Sequence, residues 1–382
     1  MPAEPVAVNA VFAGNTYQIA FAEDMEHGTL TAPETAVCGS TVTVTPQPDA
    51  GYMLDTLTAA DANGQLLEID EENFAFTMPA SNVTVNATFT RDYLAGHSLS
   101  LNGDIGVNFF FDLTEEEASA ASVSFAWFSK AFTVEPLALD PNGKGYYIAT
   151  CRIAPAEMTY AITATLTIGG EEKMTDTYSA KQYADYILSE KYAATYTGTG
   201  AKSYANLKAL VETMLDYGSR AQVRFNRNPD DLANGGSYID HTDDPVGITP
   251  TGSDMAEGLE TCGLAYTGTT VVLLTQTSIR HYYTITNQAA FDLIQDSVTF
   301  NGAPVSYTEK DEEIYFELKN IPASQLDTPY TLHIGDGDYD YAVLDYVSSC
   351  LAKTGEQANP KTQALVTAMY YYNKAANAYF AD

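Results

Sequence analysis

The fold of this chain is decided by the stretch Ala209-Leu210-Val211-Glu212-Thr213-Met214-Leu215-Asp216-Tyr217, because a close copy of it returns near the end of the sequence. The offset is constant at 155 residues, and the matched positions are mostly apolar: Ala209, Leu210, Val211, Met214, Tyr217, Ala221 and Phe225 return as Ala364, Leu365, Val366, Met369, Tyr372, Ala376 and Phe380. Their spacing has the period of an α-helix. Each copy therefore predicts a helix with the matched residues on its buried face.

The repeated helix belongs to a longer repeated unit. Leu166-Thr167-Ile168-Gly169 returns as Leu332-His333-Ile334-Gly335, and Tyr178, Tyr183 and Leu188 return as Tyr341, Tyr346 and Leu351. The offset changes only between matched segments, which predicts a loop about eight residues longer in the first copy. We place the two module copies at 92–234 and 255–382. The Asn-, Asp-, Gly- and Pro-rich residues 235–254 are then the linker between them.

Each module is predicted to have strands first and two helices last. In the first copy, β-branched and aromatic residues indicate strands at 97–101, 105–113, 122–128, 145–152 and 160–168. Ser179 and Gln182 form a capping-box pattern that predicts a helix through about Tyr192, ahead of the long helix 202–225. The expected fold is α+β, with two tandem β-sandwich-like modules that each end in an antiparallel helix hairpin. Each hairpin needs a partner to cover its apolar stripes.

The first ninety residues contain a different repeat. Val8-Asn9-Ala10-Val11-Phe12 recurs as Val85-Asn86-Ala87-Thr88-Phe89, so residues 1–12 are predicted to end a preceding repeat. Residues 41–45 alternate Thr and Val, as in a half-buried strand. With Phe76-Thr77-Met78-Pro79-Ala80, these segments make residues 13–91 resemble the divergent InlB B-repeat family. The resemblance implies a β-grasp-like spacer domain of Gram-positive surface proteins, without catalytic activity.

The modules carry a second resemblance. The pattern Tyr-Ser-x-x-x-Tyr-Ala-x-Tyr at 178–186 and the residues 209–218 resemble an uncharacterised tandem domain of secreted surface proteins from gut Clostridia. That domain has no established activity. The resemblance therefore implies a secreted, surface-associated protein and transfers no catalytic residue.

The net charge of the chain limits the classes of molecule that it can bind. The chain has 18 Lys and Arg against 50 Asp and Glu, a net charge of −32, and Arg91 is its first basic residue. Such a chain is repelled by phosphate backbones and anionic lipids, so we expect neither nucleic acid nor membrane partners. No apolar run is long enough to span a bilayer. Cys262 and Cys350 fall in one module and could form a disulfide or remain free.

None of the candidate motifs for catalysis or metal binding is complete, so no catalytic, cofactor-binding or metal-ligating residue is predicted. The five histidines are scattered singly. The alternating carboxylates Asp336, Asp338 and Asp340 lack the later glycine and glutamate of an EF-hand loop. The ligand-binding candidates are aromatic: Trp127, the only tryptophan, and Tyr371, which is expected to be exposed because it replaces Asp216.

The sequence thus favours a non-enzymatic, extracellular cell-surface fragment, secreted or wall-associated. The leading hypothesis is an adhesin or ligand-binding module on a repeat stalk, whose partner is a host or environmental protein or glycan. A carbohydrate-binding module of a glycan-degrading system and a purely structural spacer remain alternatives. Duplication favours binding, because two linked sites raise each other's effective concentration, but it is equally typical of a spacer.

Overall fold

A computed structural model describes residues 14–101, 105–251, 253–273 and 276–381. The predicted end of a preceding repeat, residues 1–12, lies outside the described residues. Contacts divide the chain into two compact units, Met1–Ala95 and Gly96–Asp382, and each is described by itself. The described residues form many β-sheets and seven helices. The expectation of a mixed α+β structure is therefore confirmed.

Residues 14–93, the described part of the first unit before β10, form nine strands. They are β1 (Thr16–Phe21), β2 (Gly28–Thr31), β3 (Thr35–Val37), β4 (Thr41–Thr43), β5 (Thr45–Pro48), β6 (Tyr52–Asp61), β7 (Ile69–Asp70), β8 (Ala75–Thr77) and β9 (Val83–Arg91). The main sheet has the order β3-β1-β9-β6, with β1 and β9 parallel. Along β9, Val83, Val85, Ala87 and Phe89 alternate inward with the two-residue period of a strand. Residues 14–95 contain no helix, and the β-grasp-like fold expected for this domain stays a prediction.

The first half of the second unit has eight strands and four helices. They are β10 (Leu94–Ser100), β11 (Gly106–Phe111), α1 (Glu115–Ser119), β12 (Ala121–Trp127), β13 (Lys130–Val134), β14 (Ala138–Leu139), β15 (Tyr147–Arg152), β16 (Ile162–Ile168), β17 (Glu171–Tyr178), α2 (Ala180–Leu188), α3 (Glu190–Thr195) and α4 (Tyr204–Phe225). Two sheets, β10-β11-β15-β14 and β13-β12-β16-β17, meet through the rings of Phe109 and Phe125, 5.4 Å apart.

The helix predicted from Ser179 to about Tyr192 is two helices. Ser189 ends α2 with extended backbone (φ −70°, ψ 149°), and its hydroxyl accepts the Tyr192 amide to cap α3. Serine favours this role because its side chain satisfies an amide that has no partner within the helix. The prediction of one continuous helix is therefore wrong at Ser189.

The second half of this unit repeats the order of elements. They are β18 (Leu264–Leu273), β19 (Thr277–Ile285), α5 (Gln288–Phe291), β20 (Thr299–Phe300), β21 (Ala303–Pro304), β22 (Thr308–Lys310), β23 (Glu313–Leu318), β24 (Tyr330–Ile334), β25 (Gly337–Tyr341), α6 (Val343–Leu351) and α7 (Pro360–Phe380). The sheets are β18-β19-β23-β22 and β21-β20-β24-β25. Tyr283 and Phe316 of one sheet share a buried cluster with Phe300 and Leu332 of the other, so the two sheets cover one core.

The two halves have the same strand order. In each half, the first, second, sixth and fifth strands form one sheet, and the fourth, third, seventh and eighth form the other. In both halves a short helix follows the second strand. After the eighth strand come α2, α3 and α4 in the first half and α6 and α7 in the second. The two halves therefore share one strand topology, although other orders of eight strands are sterically allowed.

The long helices α4 and α7 lie antiparallel against each other. Arg224 donates to the Thr362 hydroxyl (2.7 Å) near one end, and Lys202 donates to the Tyr379 carbonyl (2.7 Å) near the other. Midway, the rings of Tyr217 and Tyr372 are stacked with centroids 5.7 Å apart. These two tyrosines are equivalent positions of the sequence repeat. Each long helix thus supplies the partner that the other needs.

All four cysteines are free in the structure. Cys151, Cys262 and Cys350 are buried, and Cys38 is exposed. The pairing of Cys262 with Cys350 that the sequence left open is not formed.

Candidate functional site

Trp127, the first aromatic candidate, is a core residue. It ends β12, is 6% exposed, and donates its indole N–H to Oε2 of Glu157 at 3.2 Å. A ring buried to this degree presents no face on which a sugar could stack. The sequence offered no sign of this, because Glu157 lies thirty residues away on the 3₁₀ turn Pro155–Glu157.

Glu157 is a buried carboxylate with three donors. Besides Trp127, the Ala154 amide donates to Oε2 (3.1 Å) and the Lys130 ammonium donates to Oε1 (2.6 Å). Burial opposes ionisation of Glu157, but the hydrogen bonds from Lys130, Ala154 and Trp127 outweigh it and hold the pKa below its usual value. The carboxylate therefore ties β12 and β13 to the turn.

We expect Glu157→Gln to lower the free energy of unfolding at pH 7 by about 2 kcal/mol, because the charge-assisted bonds become neutral ones. A carboxyl whose pKa is lower in the folded state stabilises the fold above its unfolded pKa and stops doing so as the pH falls. The difference between wild type and variant should therefore shrink below about pH 4.5. Urea titrations from pH 7 to pH 3 measure it, and a difference that does not change with pH would contradict this assignment.

Tyr371, the second candidate, is 4% exposed, so the expectation that it faces solvent is wrong. Its ring is stacked on His241, with centroids 3.3 Å apart, and its hydroxyl donates to the Asp244 carbonyl. Both partners belong to the segment 235–254, predicted as a linker. Lys374 adds an ion pair to Asp244 at 2.6 Å. This segment is held along α7 by side chains, which its loop-like composition did not reveal.

Six other tyrosines gather on the surface at one end of the α4–α7 pair. We call them the tyrosine cluster: Tyr183, Tyr186, Tyr192, Tyr196, Tyr204 and Tyr379. Tyr186 is 48% exposed, and the others are half-buried. They come from α2, α3, the loop after α3, the start of α4 and the end of α7. Separate elements thus converge on one aromatic surface.

Hydrogen bonds fix the rings of the tyrosine cluster. Tyr196 donates to the Lys202 carbonyl (2.9 Å) and its hydroxyl lies 3.3 Å from that of Tyr379, while Tyr204 donates to the Ile187 carbonyl (3.1 Å). Burial raises the pKa of Tyr183 to about 12, so its hydroxyl stays protonated at neutral pH. Tyr196 and Tyr204 are therefore held in place, and their hydroxyl oxygens can still accept a hydrogen bond from a ligand.

The geometry of the rings bears on what they could bind. Neighbouring rings in the cluster are inclined by 34° to 72°, with centroids 5.2 to 6.4 Å apart. A sugar chain stacks best on rings that share a plane. Inclined tyrosines instead give an uneven, amphipathic surface of the kind that antibodies use against proteins.

The tyrosine cluster also lies in the most basic part of the chain. Residues 178–227 carry seven Lys and Arg against four Asp and Glu, whereas the whole chain carries 18 against 50. Lys191 and Lys202 are exposed, and Lys202 sits 4.6 Å from the ring centroids of both Tyr379 and Phe380. An acidic partner would be attracted to this surface and repelled from much of the remaining chain.

Sequence reasoning missed the cluster, although a signal was present. The first copy's loop is about eight residues longer than the second's, and this extra segment contains Tyr192 and Tyr196. The second copy has Ser349 where Tyr186 stands and Asn359 where Tyr204 stands. Tyrosines confined to one copy of a repeat are not required by the shared core. Their absence from the second copy could therefore have identified these tyrosines as candidate binding residues.

Acidic groups do not assemble into a metal centre in the described part of the chain, where no three His, Cys, Asp or Glu residues could hold an ion together. Asp338 pairs with His333 (2.7 Å), and Asp340 accepts the Thr331 hydroxyl (2.6 Å). These carboxylates of the β24–β25 hairpin are used in cross-strand contacts.

The first unit shows a close approach that explains one of its glycines. A Cβ on Gly28 would lie 2.7 Å from the ring of Phe89, which packs over β2 from β9. Residues 17–93 match the family model of the divergent InlB B-repeat domain. Most of the first unit is therefore similar to a B-repeat. The sequence placed this B-repeat at about 13–91, close to the matched range.

The B-repeat family is associated with bacterial surfaces, which agrees with the expected location. No helix among the described residues is long and apolar enough to cross a membrane. Comparison with curated proteins and with solved structures gives no significant match.

Proposed function

We propose that this chain is a non-catalytic part of a secreted or wall-associated bacterial surface protein, in which the B-repeat is a spacer and the second unit contacts an external protein. The observation that carries the proposal is the tyrosine cluster. It combines a partly exposed aromatic surface, fixed hydroxyl groups and local positive charge on a strongly acidic chain. Tyrosine is enriched at protein interfaces because it contributes area at low entropic cost.

The second unit, in this proposal, consists of two copies of one module, at 92–234 and 255–382. Three observations support duplication: the constant sequence offset along the long helices, the identical strand order of the four sheets, and the stacking of the equivalent residues Tyr217 and Tyr372. The two copies then resemble a symmetric dimer fused into one chain. Divergence at the extra loop gives the first copy the binding surface.

A glycan ligand is the alternative, and a structural spacer is the second. Against a glycan stand the inclined rings of the tyrosine cluster and the burial of Trp127. Against a spacer stand Tyr186, Tyr192, Tyr196 and Tyr204, which have no equivalent tyrosine in the second copy, because a spacer does not need an exposed aromatic surface.

The ligand class can be tested with the full chain. Surface plasmon resonance over immobilised collagen and fibronectin measures binding to extracellular proteins, and native gels cast with starch, xylan or pectin measure binding to polysaccharides. We expect saturable binding to a protein surface and unchanged mobility in every polysaccharide gel. Retardation by one polysaccharide without protein binding would favour the carbohydrate-binding alternative, and the absence of any interaction would favour the spacer.

A further inference from the structure

An open groove of about 650 Å³ lies along β6 in the first unit, where residues 54–59 of this strand line it. The apolar side chains of the groove are Leu54, Leu57, Leu66, Leu67, Ile69 and Phe74. Leu66 is 69% exposed, and the other five are half-buried. Four of the half-buried ones pack against the buried core cluster of this unit. The groove is therefore an opening in the side of the core.

The strand beside the groove has an edge that can accept another strand. β6 is the last strand of the sheet β3-β1-β9-β6. On its outer edge, Asp61 donates its main-chain N–H to the Gln65 carbonyl (2.9 Å), and the Ala59 carbonyl accepts the Leu67 N–H (2.8 Å). Main-chain groups of alternate residues point to the same edge of a strand, so those of Leu57 also face outward. Among the described residues, pairing along this edge is found only at 59–61.

The surroundings of the groove are acidic. Residues 14–90 contain eleven Asp and Glu and no Lys or Arg. Asp55 and Glu71 line the groove itself, and both are exposed. Asp55 accepts the Thr88 hydroxyl at Oδ2 (2.8 Å), and its other carboxylate oxygen can accept a further donor. A segment that enters the groove is therefore attracted if it is basic and repelled if it is acidic.

We propose that β6 binds an extended segment of a basic polypeptide, which adds a strand to the outer edge of the sheet and places apolar side chains in the groove. Strand addition of this kind gains affinity from main-chain hydrogen bonds and specificity from pockets for alternate side chains. The inference goes beyond the proposed function, in which the first unit is a spacer, and it does not depend on the tyrosine cluster.

The two faces of β6 determine which side chains the partner presents. Leu57 and Ala59 lie on the face that packs against the core. Thr56 and Thr58 lie on the opposite, exposed face, where the hydroxyls of Thr56 and Thr88 are 2.7 Å apart. The side chains of an added strand alternate between the same two faces. A segment in which apolar residues alternate with Lys or Arg therefore fits the groove on one face and the hydroxyls and nearby carboxylate on the other.

A second copy of this chain fits the same edge poorly. β6 carries Asp55 and Asp61 and no basic residue, so two copies of β6 would bring like charges together. The register with β9 also shifts between Leu54 and Thr56, which is the irregularity of a β-bulge. Bulges and charges on an edge strand oppose pairing between identical strands. The charge of the groove therefore favours a basic partner over this chain itself.

The probe is a short fluorescein-labelled peptide in which lysine and valine alternate, titrated with the full chain at low ionic strength and followed by fluorescence polarisation. We expect saturable binding with a Kd between about 10 μM and 1 mM, as for a short peptide in a small site. One control peptide has its lysines and valines in separate blocks, and a second is N-methylated at alternate main-chain nitrogens. Both should bind at least about tenfold more weakly, because the first cannot separate its side chains onto two faces and the second lacks main-chain donors.

Two variants test the groove, and two matched variants at the opposite edge of the sheet serve as controls. Glu71→Gln should weaken peptide binding by about two- to fivefold, since it removes one exposed charge. Leu66→Lys should weaken it by at least about tenfold, because it replaces an apolar contact by a charge of the partner's own sign. Glu34→Gln and Val37→Lys make the same changes beside and in β3, and both should bind within about twofold of the wild type. All four side chains are exposed, and thermal unfolding verifies that each variant is folded.

The proposal is overturned if the peptide does not saturate, if either control peptide binds as tightly, or if the two control variants lose as much affinity as the groove variants. Self-association of the full chain in analytical ultracentrifugation that Leu66→Lys abolishes would assign the edge to a second copy and would also overturn it. Because the tyrosine cluster plays no part in this test, a failure here leaves protein binding in plasmon resonance unchanged.

Discussion

Replacing Tyr217 by alanine is expected to lower the free energy of unfolding of the second unit by about 3–5 kcal/mol. Tyr217 is 3% exposed, and its ring is stacked on that of Tyr372 where α4 and α7 cross. Truncation leaves a cavity between two rigid helices that cannot close over it. Urea unfolding followed by the fluorescence of Trp127 measures the change, because the only tryptophan of the chain lies in this unit.

Two controls sharpen this prediction. Tyr186→Ala, on the exposed side of α2, should cost less than about 1 kcal/mol. The double variant Tyr217→Ala/Tyr372→Ala should be more stable than the sum of the single effects predicts by about 0.5–1.5 kcal/mol, since each single variant already breaks the stack. Additive effects would mean that the equivalent tyrosines do not stabilise each other.

The second large effect is expected at Gln222. Gln222→Ala removes the partner of two partly buried carbonyls and one buried amide in the segment 228–233, and we expect a loss of about 3 kcal/mol. The freed segment should also become sensitive to trypsin at Arg227, because proteolysis requires local opening of the chain.

The equivalent substitution in the second half is the matched control. Asn377→Ala lies at the same position of the repeat but is half-exposed and holds only Asp327, so it should cost less than about 1 kcal/mol. If urea unfolding gives equal losses for Gln222→Ala and Asn377→Ala, the several bonds of Gln222 stabilise the fold no more than the single bond of Asn377. That result would contradict the prediction.

Much of the architecture could be predicted because it depends on short-range periodicity. The apolar stripe on α4 and α7 and the alternation along β9 follow directly from the spacing of apolar residues. The change in the repeat offset follows from the same spacing. The B-repeat was likewise recognisable from local turns and strands. The split of α2 from α3 was missed, because a serine inside a helical pattern gives no clear sign of its extended backbone.

The candidate site could not be predicted, because it depends on contacts between distant segments. Trp127 is removed from solvent by Glu157, and Tyr371 by His241 and Asp244, none of which is close in sequence. The tyrosine cluster is assembled from α2, α3, α4 and the end of α7, and its contacting residues Tyr196 and Tyr379 are 183 residues apart. The composition indicated tyrosine as a candidate ligand-binding residue type. Only the folded structure shows which six tyrosines lie together.

The most direct test of the proposed function compares the full chain with Tyr186→Ala/Tyr192→Ala on the protein surface that binds the wild type in plasmon resonance. The control is Tyr282→Ala/Tyr315→Ala, a half-buried tyrosine pair on β19 and β23 with centroids 5.2 Å apart. We expect the cluster variant to lose at least about tenfold in affinity and the control to retain it. Equal affinity of the wild type and the cluster variant would contradict the assignment of this surface to ligand binding.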